Sequence, residues 1–427
     1  MSSRRLIDKS NFVEYISIFL LLYLMSGYNM TVVQALSGSV RILILLFFSI
    51  ILCYRNKVNS IKVVPFSIII ILFITALLSL LFRSDALYNY AILISAVLIG
   101  YLFYIAIDFK VFVNAYVNIM VFLSIFSLVA YFLALVIPSV ISYFPIINYT
   151  YGISVHDMFF SVMLNGPTMQ RNYGMFWEPG AFQVFLNLAL SFEVFTRKNI
   201  RIKKVVILIL TIVSTFSTTG YFALGFILMA FFFNRNNKTS LELKHKIHIK
   251  RMVLIFMVCL VIAFTIPSDY KNLVFAKLSG LFNKNEQLAV TTKARVDAII
   301  YPLKAFSSSP LFGIGYDDFN VLNTQILNGL ATSTVLNWLS LFGISWGIPC
   351  ILFYLKNLKR FGVTILSRFF LIVAFLLLIS TESFLGNPFI YMFIFYGSEV
   401  VGSKKKSNKD ILNANHAAVL YRKEVRL

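Results

Sequence analysis

Charge is scarce in this sequence. Asp, Glu, Lys and Arg make up 13% of 427 residues, about half of what a soluble globular chain carries. Acidic residues are the rarer sign, 17 against 38 Lys and Arg. Cysteine is nearly absent. Cys53, Cys259 and Cys350 all fall inside apolar runs, where a thiol behaves as a small hydrophobe, so a disulfide framework and a zinc spacing are both excluded. No Gly-rich phosphate loop sits in a strand-and-helix unit, which argues against a nucleotide fold. No internal repeat of the transporter kind is present. The first apolar run, from Phe12, is followed by no convincing small-residue cleavage site, so it is expected to be a retained span and not a signal peptide.

What fills the sequence is apolar. At 59% hydrophobic and a mean hydropathy of +0.83, the chain is expected to be an all-α, polytopic membrane protein forming a single integral membrane domain over 1–427. The net charge of +21 does not indicate nucleic acid, because the basic residues lie mainly in short segments between apolar runs. Runs near bilayer length cover 12–27, 40–54, 63–82, 88–107, 112–136, 179–196, 252–267, 334–355, 363–380 and 387–401. The run 205–233 is too long for one upright helix and too short for two full ones, and both its flanks, RKNIRIKK and NRNNKTSLELKHKIHIKR, are basic. The positive-inside rule puts both flanks in the cytoplasm. The run is therefore expected to enter and return as two short helices turning at Ser214 to Gly220, where hydroxyls and Gly can satisfy freed backbone groups.

That parity gives about 12 crossings with both termini cytoplasmic. Segments assigned inside then hold 28 of the 38 Lys and Arg. The tail 402–427, with SKKKSNK, is a basic cytoplasmic anchor. Two long outside loops, 137–178 and 268–333, are expected to contain short helices and to carry function. In the second, Thr292 to Phe306 has Val296, Ile299, Ile300, Leu303 and Phe306 on one helical face. It is expected to lie on the membrane surface with that face down, bent at Pro302.

Between the first loop and its following span stands RNYGMFWEPG, 171–180. Pro179 suits a first helical position. Arg171 has two readings, a headgroup-contacting snorkel or a bidentate phosphate clamp. Glu178 is either a carboxylate held by the helix dipole or a general base for a sugar hydroxyl. Arg295 leads into SSSPLFGIGYDDF, where Gly313 and Gly315 permit a tight turn, and Asp317 and Asp318 are more often local hydrogen-bonding groups than metal ligands. Tyr173, Trp177, Asp317, Asp318 and His156 complete the candidate substrate-binding set, His156 being the one histidine outside. Glu382, in TESFLGNPF, is a helix cap or a functional ionisable group. Glu14 is expected to reach the inner interface, and Trp338 to anchor at the outer one.

Three stretches, RNYGMFWEPGAF, LTIVSTFSTTGYFAL, and Arg295 through SSSPLFGIGYDDF to STVLNWLSLFGI, make a pattern. In order and topological placement the chain resembles the Wzy-type O-antigen and capsular polysaccharide polymerases of the wider O-antigen ligase-like superfamily. The resemblance implies a metal-independent enzyme without cofactor in the bacterial inner membrane, working on its periplasmic face. It would move a growing glycan from undecaprenyl pyrophosphate to the non-reducing end of a new lipid-linked repeat unit. Partners implied are undecaprenyl-pyrophosphate-linked oligosaccharides, the lipid bilayer, a chain-length-determining protein and a flippase, with no nucleic acid. Carried over by position, Arg171 and Arg295 contact pyrophosphate, and Glu178 is structural or basic. O-antigen ligases carry a His shortly before the span after the second loop, where this chain has Ala331-Thr332-Ser333-Thr334. This departure counts against a ligase and leaves the acceptor base open among Glu178, Asp317 and Asp318. A flippase or transporter without chemistry is the other alternative, but it would gather charge at the bilayer midplane.

Overall fold

The computed structural model describes residues 11–27, 30–58, 62–83, 87–148, 154–165, 171–234, 286–327 and 331–399. Its helices in chain order are α1 (Phe12–Leu24), α2 (Thr31–Ala35), α3 (Gly38–Arg55), α4 (Val63–Arg83), α5 (Leu87–Ala106), α6 (Phe109–Val136), α7 (Pro179–Phe195), α8 (Ile202–Ser214), α9 (Thr218–Phe233), α10 (Glu286–Ser308), α11 (Tyr316–Val321), α12 (Thr334–Lys356), α13 (Ile365–Ser380) and α14 (Pro388–Glu399). Among the described residues four helical stretches, Gly38–Arg55, Leu87–Ala106, Phe109–Val136 and Thr334–Phe361, are long and apolar enough to cross a membrane. Six shorter apolar helices accompany them. This is the make-up of a helical membrane protein. The expected span 252–267 and the tail 402–427 lie outside the described residues.

Local sequence explains most helix starts. Ser37, Asp108, Ser217, Ser333 and Thr364 each occupy an N-cap and accept a hydrogen bond from a first-turn amide, which satisfies a donor the helix leaves open. Exposed Leu, Ile and Phe side chains along α3, α4 and α6 are what a lipid-facing surface presents. Contacts between helices join ends that the charge pattern assigns to one side. At the inner end, Asn56 Nδ2 donates to Glu14 Oε1 at 3.2 Å and to the Ala106 carbonyl at 2.8 Å, and Thr364 Oγ1 reaches the Phe233 carbonyl at 3.5 Å. Glu14 also pairs with Arg55 at 3.5 Å.

At the centre stands α7, nearly every residue of which is buried, as expected of a helix apolar almost all round. Phe185, Phe192 and the α14 ring of Phe389 pack in one aromatic core with Phe112 and Tyr116 of α6. Its C-terminal end is fixed by Glu193, which is fully buried and accepts from Arg197 Nε at 2.7 Å and Arg201 Nη2 at 2.5 Å.

Three features depart from expectation. The long stretch between α6 and α7 is not purely helical: after a 3-10 turn, Pro138–Tyr143, it forms an antiparallel sheet of β1 (Ile146–Asn148), β2 (Ser154–Asp157) and β3 (Val162–Leu164), with Ile146 opposite His156 and His156 opposite Met163. Strands of three or four residues are too short for alternation to be read. Asp157 ties the sheet to the start of α2, accepting from the Thr31 amide at 2.8 Å and hydroxyl at 2.6 Å. Trp338 is not an interfacial anchor. It is fully buried, with Nε1 donating to the Tyr391 hydroxyl at 3.4 Å.

The third departure is a break in α12 at Gly343, which has φ 65° and ψ −159°. The segment 310–315 fills it. Ile314 and Gly315 amides donate to the Ser340 and Leu341 carbonyls at 2.8 and 3.2 Å, and Ile344 and Ser345 amides donate to the Pro310 and Leu311 carbonyls at 2.8 and 3.2 Å. The two i to i−4 bonds that an unbroken helix would make here are thus replaced by four bonds to another strand of chain. Gly313 and Gly343 allow it, because a Cβ on either would lie within 2.5 Å of the opposite backbone.

Candidate functional site

The expected pair of short helices in 205–233 is present as α8 and α9. At 1.5 Å per residue they span roughly 20 and 24 Å, less than the roughly 30 Å of a hydrocarbon core. Their turn, Thr215 to Ser217, was expected to satisfy its own backbone with hydroxyls. The amide side does so, since Ser217 Oγ accepts from the Gly220 amide at 3.4 Å. The carbonyl side does not, because Ser214 and Thr215 hydroxyls donate back into α8. Arg171 supplies the donors instead: Nε reaches the Thr215 carbonyl and Nη2 the Phe216 carbonyl, each at 3.0 Å. A guanidinium at a helix C-terminus also complements the dipole. The same segment is fixed by Asn172, fully buried, whose amide donates to the Ser214 carbonyl at 3.0 Å and whose Nδ2 donates to Ser214 Oγ at 2.9 Å.

From there the segment runs to α7. The Gly174 carbonyl accepts from the Val162 amide at 2.8 Å, docking it on β3, and Phe176 stacks on Phe185 with centroids 4.5 Å apart. Tyr173, half-buried, stands between the charges. Burial raises its hydroxyl pKa, the Arg171 guanidinium lowers it and Glu178 raises it. Glu178 is the N-cap residue of α7 by backbone position, its carbonyl accepting from Ala181 and Phe182 amides at 3.1 and 3.2 Å, yet its side chain makes no cap hydrogen bond. The carboxylate is turned to Glu382.

Glu382 is 5% exposed and lies in the turn between α13 and α14. Its Oε2 accepts from Trp177 Nε1 at 3.2 Å. Its Oε1 and Oε1 of Glu178 both crowd Gly180, where a Cβ would fall 2.4 and 3.0 Å from them. Burial raises the Glu382 pKa well above the ordinary carboxyl value, and the hydrogen bond and charge of Glu178 raise it further. Burial and the facing Glu178 carboxyl both favour the protonated form of Glu382. The turn is clamped from below: the Glu382 carbonyl accepts from the Thr334 amide at 3.1 Å, and Thr334 Oγ1 accepts from the Phe384 amide at 2.8 Å.

The other sequence candidates lie elsewhere or outside the description. Asp317 and Asp318 are exposed in the first turn of α11, whose Tyr316 packs on Tyr90 at 4.9 Å. His156 is 4% exposed within β2, Nδ1 2.9 Å from the Phe144 carbonyl and Nε2 3.2 Å from Asn165 Oδ1, so its ring is built into the sheet. Arg295 lies on α10, which extends the expected 292–306 helix in both directions, but its side chain is outside the described residues. Val296, Ile299, Ile300 and Leu303 of that helix are exposed, an unpartnered apolar face. Among the described residues no group of three or more His, Cys, Asp or Glu is placed to hold a metal ion. The Glu178–Glu382 contact is what sequence reasoning missed. Its one sequence signal was two isolated acids at outer helix ends.

Helices, apolar surface and this polar layer define a helical membrane protein with a candidate site at the bundle end assigned to the outer face. Residues 205–345 match the family model Wzy_C, O-Antigen ligase, as a protein of the O-antigen ligase superfamily would. The matched stretch runs from the short-helix pair to just beyond the Gly343 break, and the RNYGMFWEPG segment precedes it. The family covers ligase-like and polymerase-like membrane enzymes that transfer glycans, and the match does not separate the two activities. No curated protein matches the chain.

Proposed function

We propose that the chain is a polysaccharide polymerase of about 12 spans in the bacterial cytoplasmic membrane, with its site on the outer face. A growing glycan leaves undecaprenyl pyrophosphate and passes to the non-reducing end of a new lipid-linked repeat unit. The observation that favours polymerase over ligase is at residues 331–334. Where the ligase pattern has a His, Ser333 caps α12 and Thr334 holds the Glu382 turn, so both hydroxyls serve the structure beneath the carboxyl pair. The leaving pyrophosphate needs fixed positive charge in a partly dry site. Arg171, its plane fixed by two carbonyls, is one contact, and Arg295 on α10 is the second. Tyr173 and Trp177 flank the acceptor.

Ligase chemistry stays the second reading because the matching family model is described as O-Antigen ligase. Deletion and electrophoresis of surface glycan separate the readings. A polymerase deletion leaves single repeat units on the final acceptor and no long ladder. A ligase deletion leaves the acceptor bare while long chains remain on the lipid carrier. An unchanged ladder overturns both. Complementation with Arg295→Ala at normal protein level is expected to give no ladder, and full-length chains would remove Arg295 from the site.

A further inference from the structure

We infer that Glu178 and Glu382 act as one carboxylic acid–carboxylate pair that accepts the proton of the acceptor sugar hydroxyl, Glu178 as the catalytic base and Glu382 as the residue that positions it. The inference rests on the polymerase reading and supplies the base that reading lacks.

The geometry carries it. A buried carboxyl is placed against the carboxyl of the helix N-cap residue, with the two Oε1 atoms sharing the space left by Gly180. Two carboxyls this close do not both ionise. Glu382 is the more buried partner and is held by Trp177 Nε1. It keeps the proton and donates to Glu178. Glu178 is the less buried of the two and stands at the N-terminus of α7, where the dipole favours an anion. Because that side chain is not spent on capping, a carboxylate oxygen is available to an incoming hydroxyl. Among the described residues, the other charged or titratable groups facing the pair are Tyr173 and, beyond it, Arg171. The elements packed against it from α12 and the 381–387 turn offer Thr334, Asn337 and Ser383, all uncharged.

The step balances. The acceptor oxygen forms a bond to the anomeric carbon of the growing chain. The bond from that carbon to the pyrophosphate oxygen breaks, and its electron pair leaves with undecaprenyl pyrophosphate. The hydroxyl proton passes to Glu178, and the pair, which held one charge, becomes neutral.

The test uses purified full-length protein in liposomes, with the lipid-linked repeat units extracted from the deletion strain as substrate. Glu178→Gln is expected to lose about 10²–10⁴-fold in kcat with KM little changed. Glu382→Gln still offers an N–H donor, so elongation should fall less than in Glu178→Gln, and the acid limb of its pH–rate profile should move to higher pH, because an amide stabilises the Glu178 anion less than a carboxylic acid does. Elongation by Glu178→Gln within about threefold of wild type, or an acid limb that Glu382→Gln leaves in place, overturns the pair while leaving the polymerase standing. If Glu178→Gln does not accumulate, Glu178→Asp decides: drawing the carboxylate back by one methylene is expected to cost about 10²-fold in rate, and a rate within about threefold of wild type overturns the pair. Wild-type protein that adds no units at all overturns the polymerase reading itself.

Discussion

Adding one methyl group at Gly180 is the smallest change that separates Glu178 from Glu382 without altering either charge. The Cβ would lie 2.4 Å from Glu382 Oε1. Ordinary contacts lie at about 3.5 Å, so the carboxyl must retreat by roughly 1 Å. A carboxyl–carboxyl hydrogen bond of about 2.6 Å then opens beyond the range in which it is a bond. Leaving the buried Glu382 carboxyl short of a partner costs about 1–3 kcal/mol, while Ala in place of Gly in a helix contributes about 0.5–1 kcal/mol in the other direction. The net loss of stability is at most about 2.5 kcal/mol. Glu382 so displaced no longer positions the catalytic Glu178, and a misplacement of the base by that distance lowers elongation about 10²-fold. The assay pairs thermal unfolding in detergent with the initial rate of chain extension. Gly180→Ala protein that unfolds near the wild-type temperature and elongates at the wild-type rate would refute the close approach of the two carboxyls and the role built on it.

Arg171→Lys should lose at least one of the two bonds to the Thr215 and Phe216 carbonyls, a destabilisation of about 1.5–3 kcal/mol visible as a lower unfolding temperature. The ladder should shorten or vanish with it, and unchanged stability would show that the guanidinium does not hold the turn. Gly343→Ala places a methyl 2.5 Å from the Leu311 and Pro310 backbone at a φ of 65°, for a cost above about 2 kcal/mol. Hydrogen exchange at the Ile314, Gly315, Ile344 and Ser345 amides should accelerate, and undisturbed exchange there would contradict the backbone crossing.

Much of the scaffold was legible because long apolar runs have one folded answer in a membrane. The pair of short helices in 205–233 followed from two basic flanks, and the helix over 292–306 from its period. RNYGMFWEPG was legible as a helix approach through Pro179. What escaped depends on contacts across the chain. Glu178 and Glu382 are separated by more than two hundred residues and meet only because Thr334 and Trp177 hold the 382–384 turn over the mouth of α7. The carbonyl-capping role of Arg171 was hidden because the hydroxyls of STFSTTG offered a local solution that the turn uses only for its amides. Trp338 was misplaced because an aromatic near a helix start reads as interfacial until Tyr391 is seen beside it.

The crossing of 310–315 through the break in α12 bears on engineering. Its four bonds are made by main-chain atoms, so they are blind to the side chains at Leu311 and Phe312, both exposed. Spacing and the two glycines are the constraint. Substitutions within the segment should be tolerated far better than a one-residue insertion, which would shift every bond out of register. A chimera that transplants the segment 310–315 would have to carry its receptor in α12 with it. Loop and helix form one unit of exchange.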